Sequence, residues 1–379
     1  MRSNYRQLGP YIREVDVRNT AGKEENLLGV STQKVFIVSI ANTVGTDFSK
    51  YKVVKRGQFT YVPDTSRRGD KIGLAMLDHL DEGIVSSAYT VFEIINHNDL
   101  LPEYLMMWFR RPEFDRYARY MSHGSVREIF GWEEMCHVEL PIPTLEKQKE
   151  IVAEYNTLVN RIKLNEELNR KLEETAQAIY KHWFVEGVDV ENLPEGWMEK
   201  SFTEVVKLSG GGTPNTNIPT FWNGEIPFFT PADVSKGYYS IQTEKSITDA
   251  GLKNCNTKLY PKNTVFVTAR GTVGAISIAG CEMVMNQSCY ALTGKYQFFI
   301  HQLTRETMSK LKTEAVGAVF GALVTKDFDA QFVIKPPIEL QKEFDNKVSK
   351  LYDYILLKTK KNQKLTELKE LLLSKMIQV

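Results

Sequence analysis

Two stretches of this chain, PTLEKQKEI at 143–151 and PPIELQKEF at 336–344, carry the same phrase at a spacing of 193 residues (336 − 143). Pro143, Glu146, Gln148, Lys149 and Glu150 recur as Pro336, Glu339, Gln341, Lys342 and Glu343. The correspondence runs on without a gap through Leu158/Leu351, Ile162/Ile355, Asn169/Asn362, Leu172/Leu365 and Glu174/Glu367, and reaches back to Gly124/Gly317 and Val126/Val319. A fixed offset held over this distance is an internal repeat, which restricts the fold to two like halves. At 379 residues the chain is also too long for one ordinary core.

Beyond each Pro-opened phrase the apolar residues step by threes and fours. The first copy gives Ile151, Tyr155, Leu158, Ile162, Leu172, Ala176, Ile179 and Trp183, and the second gives Phe344, Val348, Leu351, Ile355, Leu365, Leu372 and Met376. With no internal Pro or Gly, this period predicts two long coiled-coil helices. Pro143 and Pro336–Pro337 mark their starts, Gly187 closes the first, and the second runs to the C-terminus. Neither helix can bury its stripe alone. Pairing within the chain would make them antiparallel, with the globular parts at opposite ends; the alternative partner is another chain. Asn169 and Asn362 fall at one heptad position inside the seam. Two readings stand side by side. One is a buried polar pair that fixes register; the other is a solvated kink at which Leu164 and Leu168 take over the stripe.

The charge balance narrows the partners. Lys+Arg against Asp+Glu is 18 to 19 in residues 1–140 and 14 to 13 in 191–335, and the whole chain carries +1. A non-specific nucleic-acid coat needs many phosphate contacts, so it is disfavoured, whereas binding through a few placed contacts remains open. No apolar run approaches the roughly 18 residues of a membrane span, and Met1 is followed by RSNYRQ, so the cytoplasm is the expected location with no membrane partner. Cys136, Cys255, Cys281 and Cys289 form no CxxC pair, which argues against a zinc cluster or a disulfide framework.

The two globular parts read as α+β. Strands are expected at 35–40, 59–62, 90–94, 264–269 and 275–280, with one amphipathic helix around 100–122 and another around 296–313. The second part carries loops rich in small, hydroxyl and amide residues: LSGGGTPNTN (208–217), FWNGEIPFFTPADVSKG (221–237) and TARGTVG (268–274). Such residues hydrogen-bond base edges and phosphate oxygens, and an arginine binds guanine bidentately. Turn chemistry explains GGGTPN equally simply, and for Arg270 a surface ion pair is the competing account. In the first part, Arg67–Arg68 lie in DTSRRGDKIG and Ser31–Thr32–Gln33–Lys34 precede a strand. The basic stretch Arg110, Arg111, Arg116, Arg119 and Arg127, offset by Glu113 and Asp115, reads as a solvated helix face.

Catalytic signatures are missing. The sequence has no GxxxxGK[ST], HExxH, GxSxG or Asn/Asp-Pro-Pro-aromatic loop, and Gly210–Gly211–Gly212 does not make GxGxxG after a strand. The chain therefore reads as one without its own catalytic site, and no metal is expected.

These residues together resemble the specificity subunits of type I restriction–modification systems. The resemblance rests on the duplicated PIPTLEKQKEI/PPIELQKEF openings, on LPEGW (193–197) and GGTP (211–214), and on FWNGEIPF (221–228) and ARGTVG (269–274). It spans essentially the whole chain, although the first part has no LPEGW or GGTP equivalent. It implies two target-recognition domains, at 1–142 and 188–335, each followed by a helical repeat, at 143–187 and 336–379. Each domain would contact one half of a bipartite, asymmetric site in double-stranded DNA, while the antiparallel helices measure the unread gap. The helices would also dock two adenine-N6 methyltransferase subunits, with restriction/motor subunits joining them. The chain itself would hold no cofactor; its partners would use S-adenosylmethionine, ATP and Mg. Candidate DNA-reading residues are Ser31, Gln33, Arg67 and Arg68 in the first domain and Thr213, Thr230, Arg270 and Thr272 in the second. The coiled-coil and docking positions are Ile151, Leu158, Ile162, Asn169, Leu172, Ile179, Leu351, Ile355, Asn362, Leu365 and Leu372. A two-headed scaffold without a DNA role competes with this reading, as does an enzyme whose site carries no familiar motif.

Overall fold

The structure is a computed structural model that describes residues 4–39, 43, 45–66, 69, 71–124, 127–234, 237–314 and 321–378. It is mixed α and β, with two compact units: 1–160 with 365–379, and 161–364. The division falls inside two long helices, Leu145–Phe184 (the central helix) and Ile338–Lys375 (the C-terminal helix). Each unit takes one stretch of both.

In the first unit a four-stranded antiparallel sheet has the order Ile12–Val15, Thr90–Ile94, Phe59–Tyr61, Leu74–Met76. The strand Thr90–Ile94 leads directly to the helix Pro102–Phe109, whose residues 104–109 are all buried against the sheet, Ile151 and Tyr155. In the second unit the strands Lys207–Gly210, Cys289–Thr293, Val265–Thr268 and Ile276–Ala279 follow one another in the equivalent order, with Tyr239–Ser240 added at the edge. There too the strand Cys289–Thr293 leads to the domain helix Gln297–Glu314. An entry strand pairs with the exit strand in both units: Tyr5–Gln7 with Glu139–Pro141, and Met198–Ser201 with Phe332–Lys335. The repeat visible in the helices therefore extends to the topology of globular parts that share few residues.

The expected helix at 100–122 breaks into Pro102–Phe109 and Pro112–Tyr120, because Pro112 has no N–H to donate and starts a new helix. The helix expected at 296–313 is continuous.

The repeated opening has a structural role that composition conceals. Gln148 is fully buried: its Nε2 donates to Pro143 O (3.0 Å) and Asp99 O (2.8 Å), and its Oε1 accepts from Leu101 N (2.8 Å). Gln341 is 6% exposed and donates from Nε2 to Pro336 O at 2.8 Å. In both copies the glutamine satisfies the carbonyl of the opening proline five residues earlier, where the exit segment turns into the helix.

The helices pair antiparallel. In the second unit Asn165 Nδ2 donates to Asn362 Oδ1 (2.7 Å), Asn362 Nδ2 to Ile162 O (3.2 Å) and Asn169 Nδ2 to Thr359 Oγ1 (3.3 Å). Asn165 and Asn169 are buried, whereas Leu164 and Leu168 are 58% and 39% exposed, so the stripe does not pass to the leucines. Among the seam positions, Ile151, Asn169 and Ile355 are buried, and Leu158, Ile162, Leu172, Ile179, Leu351, Asn362, Leu365 and Leu372 are half-buried. The fully buried line in the second unit runs instead through Glu173, Ala176, Tyr180 and Phe184, facing Phe344, Val348, Tyr352 and Ile355. A helix of 3.6 residues per turn drifts against a seven-residue repeat. Here the domain helix also packs on the pair, so the covered face is wider than a two-helix seam.

That three-helix contact is closed by a buried polar cluster. Glu173 accepts at Oε1 from Gln302 Nε2 (2.8 Å) and from Arg305, and Gln302 Nε2 also donates to the Tyr352 hydroxyl (2.8 Å). Tyr352 in turn lies 2.8 Å from His301 Nδ1. Burial pushes His301 down to about 4, with Arg305 adding to the fall and Glu173 opposing it, so the imidazole is neutral and Nδ1 accepts from the tyrosine. The unfolded chain takes up this proton near pH 6.5 and the folded chain only near 4. The contribution of His301 to stability is thus complete above pH 6.5 and is lost as pH falls towards 4, by at most about 3 kcal/mol. Urea midpoints measured between pH 7 and 4.5 should therefore fall less steeply in His301→Phe than in the unmodified chain.

Candidate nucleic-acid interface

Three loops of the second unit converge on the turn Asn286–Ser288. The turn is shaped by Asn286 Oδ1, which accepts from Ser288 N at 3.0 Å. Asn286 N donates to Phe229 O (3.0 Å), the residue before Thr230. Gly212 N donates to Met285 O (3.2 Å), and the Thr213 hydroxyl hydrogen-bonds Gln287 Oε1. Ala269 N donates to Ser288 O (2.7 Å), the residue before Arg270. Thr213, Thr230 and Arg270, scattered over 57 positions of sequence (270 − 213), are thereby gathered around one turn.

The glycines of LSGGGTPN serve this convergence. A Cβ on Gly211 would lie 2.2 Å from Asn286 O, and one on Gly212 would lie 2.9 Å from Asn256 N. Backbone packs on backbone there, so these glycines are accounted for without a ligand.

The hairpin between Val265–Thr268 and Ile276–Ala279 presents Arg270 and Thr272. Thr268 holds its frame, the hydroxyl donating to Thr272 O and accepting from Ala275 N (3.0 Å), while Gly271 and Gly274 adopt φ of +77° and +72°. Both Arg270 and Thr272 are exposed, and among the described residues Arg270 makes no ion pair. Thr213 is exposed as well. Thr230 differs: its hydroxyl and N–H both go to Asp233 Oδ2, at 2.7 and 2.8 Å, and the side chain is half-buried as a cap.

In the first unit Ser31 shapes the tip of the hairpin Leu28–Val30/Phe36–Val38, its Oγ accepting from Gln33 N at 3.0 Å, and leaves Gln33 exposed. Lys34, at φ +63°, turns inward to Asp115 (2.6 Å) and Ile72 O (2.8 Å), so it is a buried anchor. Arg67 and Arg68 lie outside the described residues, as do Val126, Gly317 and Val319 of the repeat. The loop that contains Arg67 and Arg68 in sequence joins Phe59–Tyr61 to Leu74–Met76, the topological equivalent of the hairpin that carries Arg270. Its base is fixed by Val62 N donating to Gly73 O (2.8 Å) and Thr65 N to Glu128 O (3.0 Å).

The basic stretch 110–127 is more than a solvated face. The Arg111 side chain is 4% exposed, pairs with Glu113 at 3.3 Å and lies 4.2 Å over the Trp108 ring. Arg110 is half-buried over Tyr155 at 5.6 Å. Arg119 is half-buried and paired with Glu128, whereas Arg116, paired with Glu113 at 3.2 Å and 67% exposed, and the exposed Arg127 fit the simpler account. Gln287, Ser288 and the lysines flanking the hairpins had no motif to announce them. Among the described residues no group of three or more His, Cys, Asp or Glu could hold a metal, and no helix is long and apolar enough to cross a membrane.

Two α+β units of one topology, each followed by a long helix, define a duplicated protein of two like domains. The chain belongs to the family described as type I restriction modification DNA specificity domain, which matches residues 10–174 and again 194–367. It is 23% identical to the type I restriction enzyme HindI specificity subunit of Haemophilus influenzae, over 98% of this chain and 97% of that protein. It is 28% identical to the MjaIX specificity subunit of Methanocaldococcus jannaschii over 46% of this chain and 42% of that one. The crystal structure of the type I restriction–modification S subunit from M. genitalium shares the fold, with a TM-score of 0.56 at 13% identity over 98% of this chain and 95% of that one.

Proposed function

We propose that this chain is the non-catalytic specificity subunit of a type I restriction–modification enzyme, each unit reading one half of a bipartite, asymmetric site in double-stranded DNA. The observation that carries the reading is the duplication. One sheet order is built twice, with a hairpin at the same place in each, but with loop sequences that differ between the copies. A protein that reads one sequence symmetrically has no use for such divergence.

The paired helices are the spacer, and two adenine-N6 methyltransferase subunits dock on them, bringing S-adenosylmethionine, with ATP- and Mg-dependent restriction/motor subunits beyond. The seam residues are turned into the units, so docking falls to outward positions. Leu164 and Leu357, equivalent in the repeat, are 58% and 45% exposed and offer the same contact twice. The assembly would work in the cytoplasm, where the DNA is.

Co-expression with the methyltransferase subunit, followed by mapping of N6-methyladenine, tests the assignment. A bipartite methylated motif that depends on this chain supports it, and methylation with no such dependence leaves the scaffold reading. Within that assay, Arg270→Ala should cost about 1–3 kcal/mol of binding and relax one position of one half-site. An equal loss on every sequence would make Arg270 a phosphate contact instead.

A further inference from the structure

Two domains that read different sequences must differ in the side chains touching base edges, but the phosphate chain is alike in every sequence. Chemistry that recurs at one place of both folds, while the sequence around it diverges, therefore points to the DNA backbone.

Each unit has such a place beside its hairpin. In the first, a cleft of about 460 Å³ is lined by Lys71 from the hairpin loop, Arg110 at the end of the helix Pro102–Phe109, and Lys369. In the second, a cleft of about 420 Å³ is lined by Gly274 of the hairpin and by Arg305, Ser309 and Lys312 of the domain helix. Arg110 and Arg305 occupy comparable places, one just past the helix Pro102–Phe109 and one within Gln297–Glu314. Each follows the buried run of its helix, 104–109 and 298–304, and each guanidinium lies over a tyrosine ring, Tyr155 at 5.6 Å and Tyr238 at 5.9 Å.

The charges left over are positive. In the first cleft Asp115 is taken by Lys34 (2.6 Å) and Glu113 by Arg111 (3.3 Å), leaving Glu370 against Lys71, Arg110 and Lys369. Among the described residues no carboxylate lines the second cleft; Glu173 lies behind it and takes up the charge of Arg305, which leaves Lys312. Lys312 is exposed and has no ion-pair partner among the described residues. Its stem passes the hairpin closely, since a Cβ on Gly274 would lie 3.4 Å from Lys312 Cε.

We infer that the two clefts hold phosphates of the DNA backbone beside the base-reading hairpins, through Lys312 in one unit and Arg110 and Lys71 in the other. The inference rests on the DNA-reading assignment and adds the sequence-independent contacts to it.

The test uses the chain assembled with its methyltransferase subunit, binding a duplex that carries the site and a scrambled duplex, between 50 and 200 mM salt. Lys312→Ala and Arg110→Ala should each weaken binding to both duplexes by the same factor, about tenfold near 0.1 M salt. Each should flatten the slope of log K against log salt by about 0.9. The methylated motif should stay as it is, and Lys312→Arg and Arg110→Lys should restore the slope. Thermal melts of the alanine variants check that the fold is kept; Lys312 is exposed, so its truncation leaves packing intact. Unchanged slopes in both variants, or losses confined to the site-bearing duplex, overturn the inference. If the unmodified complex itself shows no preference for its site, the DNA-reading assignment fails first.

Discussion

Arg305→Ala is expected to lower the unfolding free energy of the second unit by about 3 kcal/mol. The Glu173 side chain is 1% exposed and, among the described residues, Arg305 is its only charged donor at hydrogen-bond distance, His301 being neutral 3.8 Å away. Truncating the arginine leaves a buried carboxylate with neutral partners alone among the described residues, Gln302 donating to it. The cost is the desolvation of that charge more than the loss of the pair's own attraction. For a unit of this size the shift in melting temperature would be roughly 6–12 °C. Glu173→Leu combined with Arg305→Leu should recover most of it, since neither charge then remains. Calorimetry of the single and double variants decides the matter. Equal losses in both would mean that the arginine stem packs the helices together and the charge is incidental.

Gln148→Leu is expected to cost the first unit about 2–3 kcal/mol at unchanged side-chain size, through three backbone groups left unpaired: Leu101 N–H, Asp99 C=O and Pro143 C=O. Gln148→Glu should be nearly as costly, because a carboxylate accepts from Leu101 but cannot donate to the two carbonyls. Gln341→Leu should cost less, as its one side-chain bond among the described residues is to Pro336 O. Urea midpoints of the three variants test the order. If Gln148→Leu proved neutral, the exit segment would be held by packing alone.

Much of the architecture was legible. The 193-residue offset implied a duplicated molecule, and the unbroken three-four stepping implied the helices, because both signals are carried by residues close in sequence. The strand at 90–94 was readable to the residue from TVFEI, whose β-branched and aromatic side chains are buried on both faces, Phe92 and Ile94 in one core and Val91 in another. The break at Pro112 was readable in principle, since a proline beyond the first turn interrupts a helix and one at the first position starts it.

The candidate site was less legible. Thr230 and Arg270 look alike as polar loop residues, yet the structure spends the first on a cap and leaves the second exposed. The one local signal that separates them is the Thr-Pro-Ala-Asp pattern at 230–233, a capping box in which Asp233 folds back onto Thr230. Glu173 and Gln148 sit in charged helical text that reads as solvated surface, and each is buried because a helix from its globular domain lies over it. Lys34 reads as a basic loop residue and is consumed by Asp115, 81 positions away.

The sequence by itself determined that this protein has two like halves, two long amphipathic helices and no familiar catalytic loop, since repetition, period and motif are properties of neighbours along the chain. Only the tertiary structure decided which polar residues face solvent, that the two divergent domains share one sheet order, and that three distant loops meet on Asn286–Ser288. Those outcomes depend on backbone and side-chain groups finding partners far away in sequence, and that pairing is settled by the packed fold.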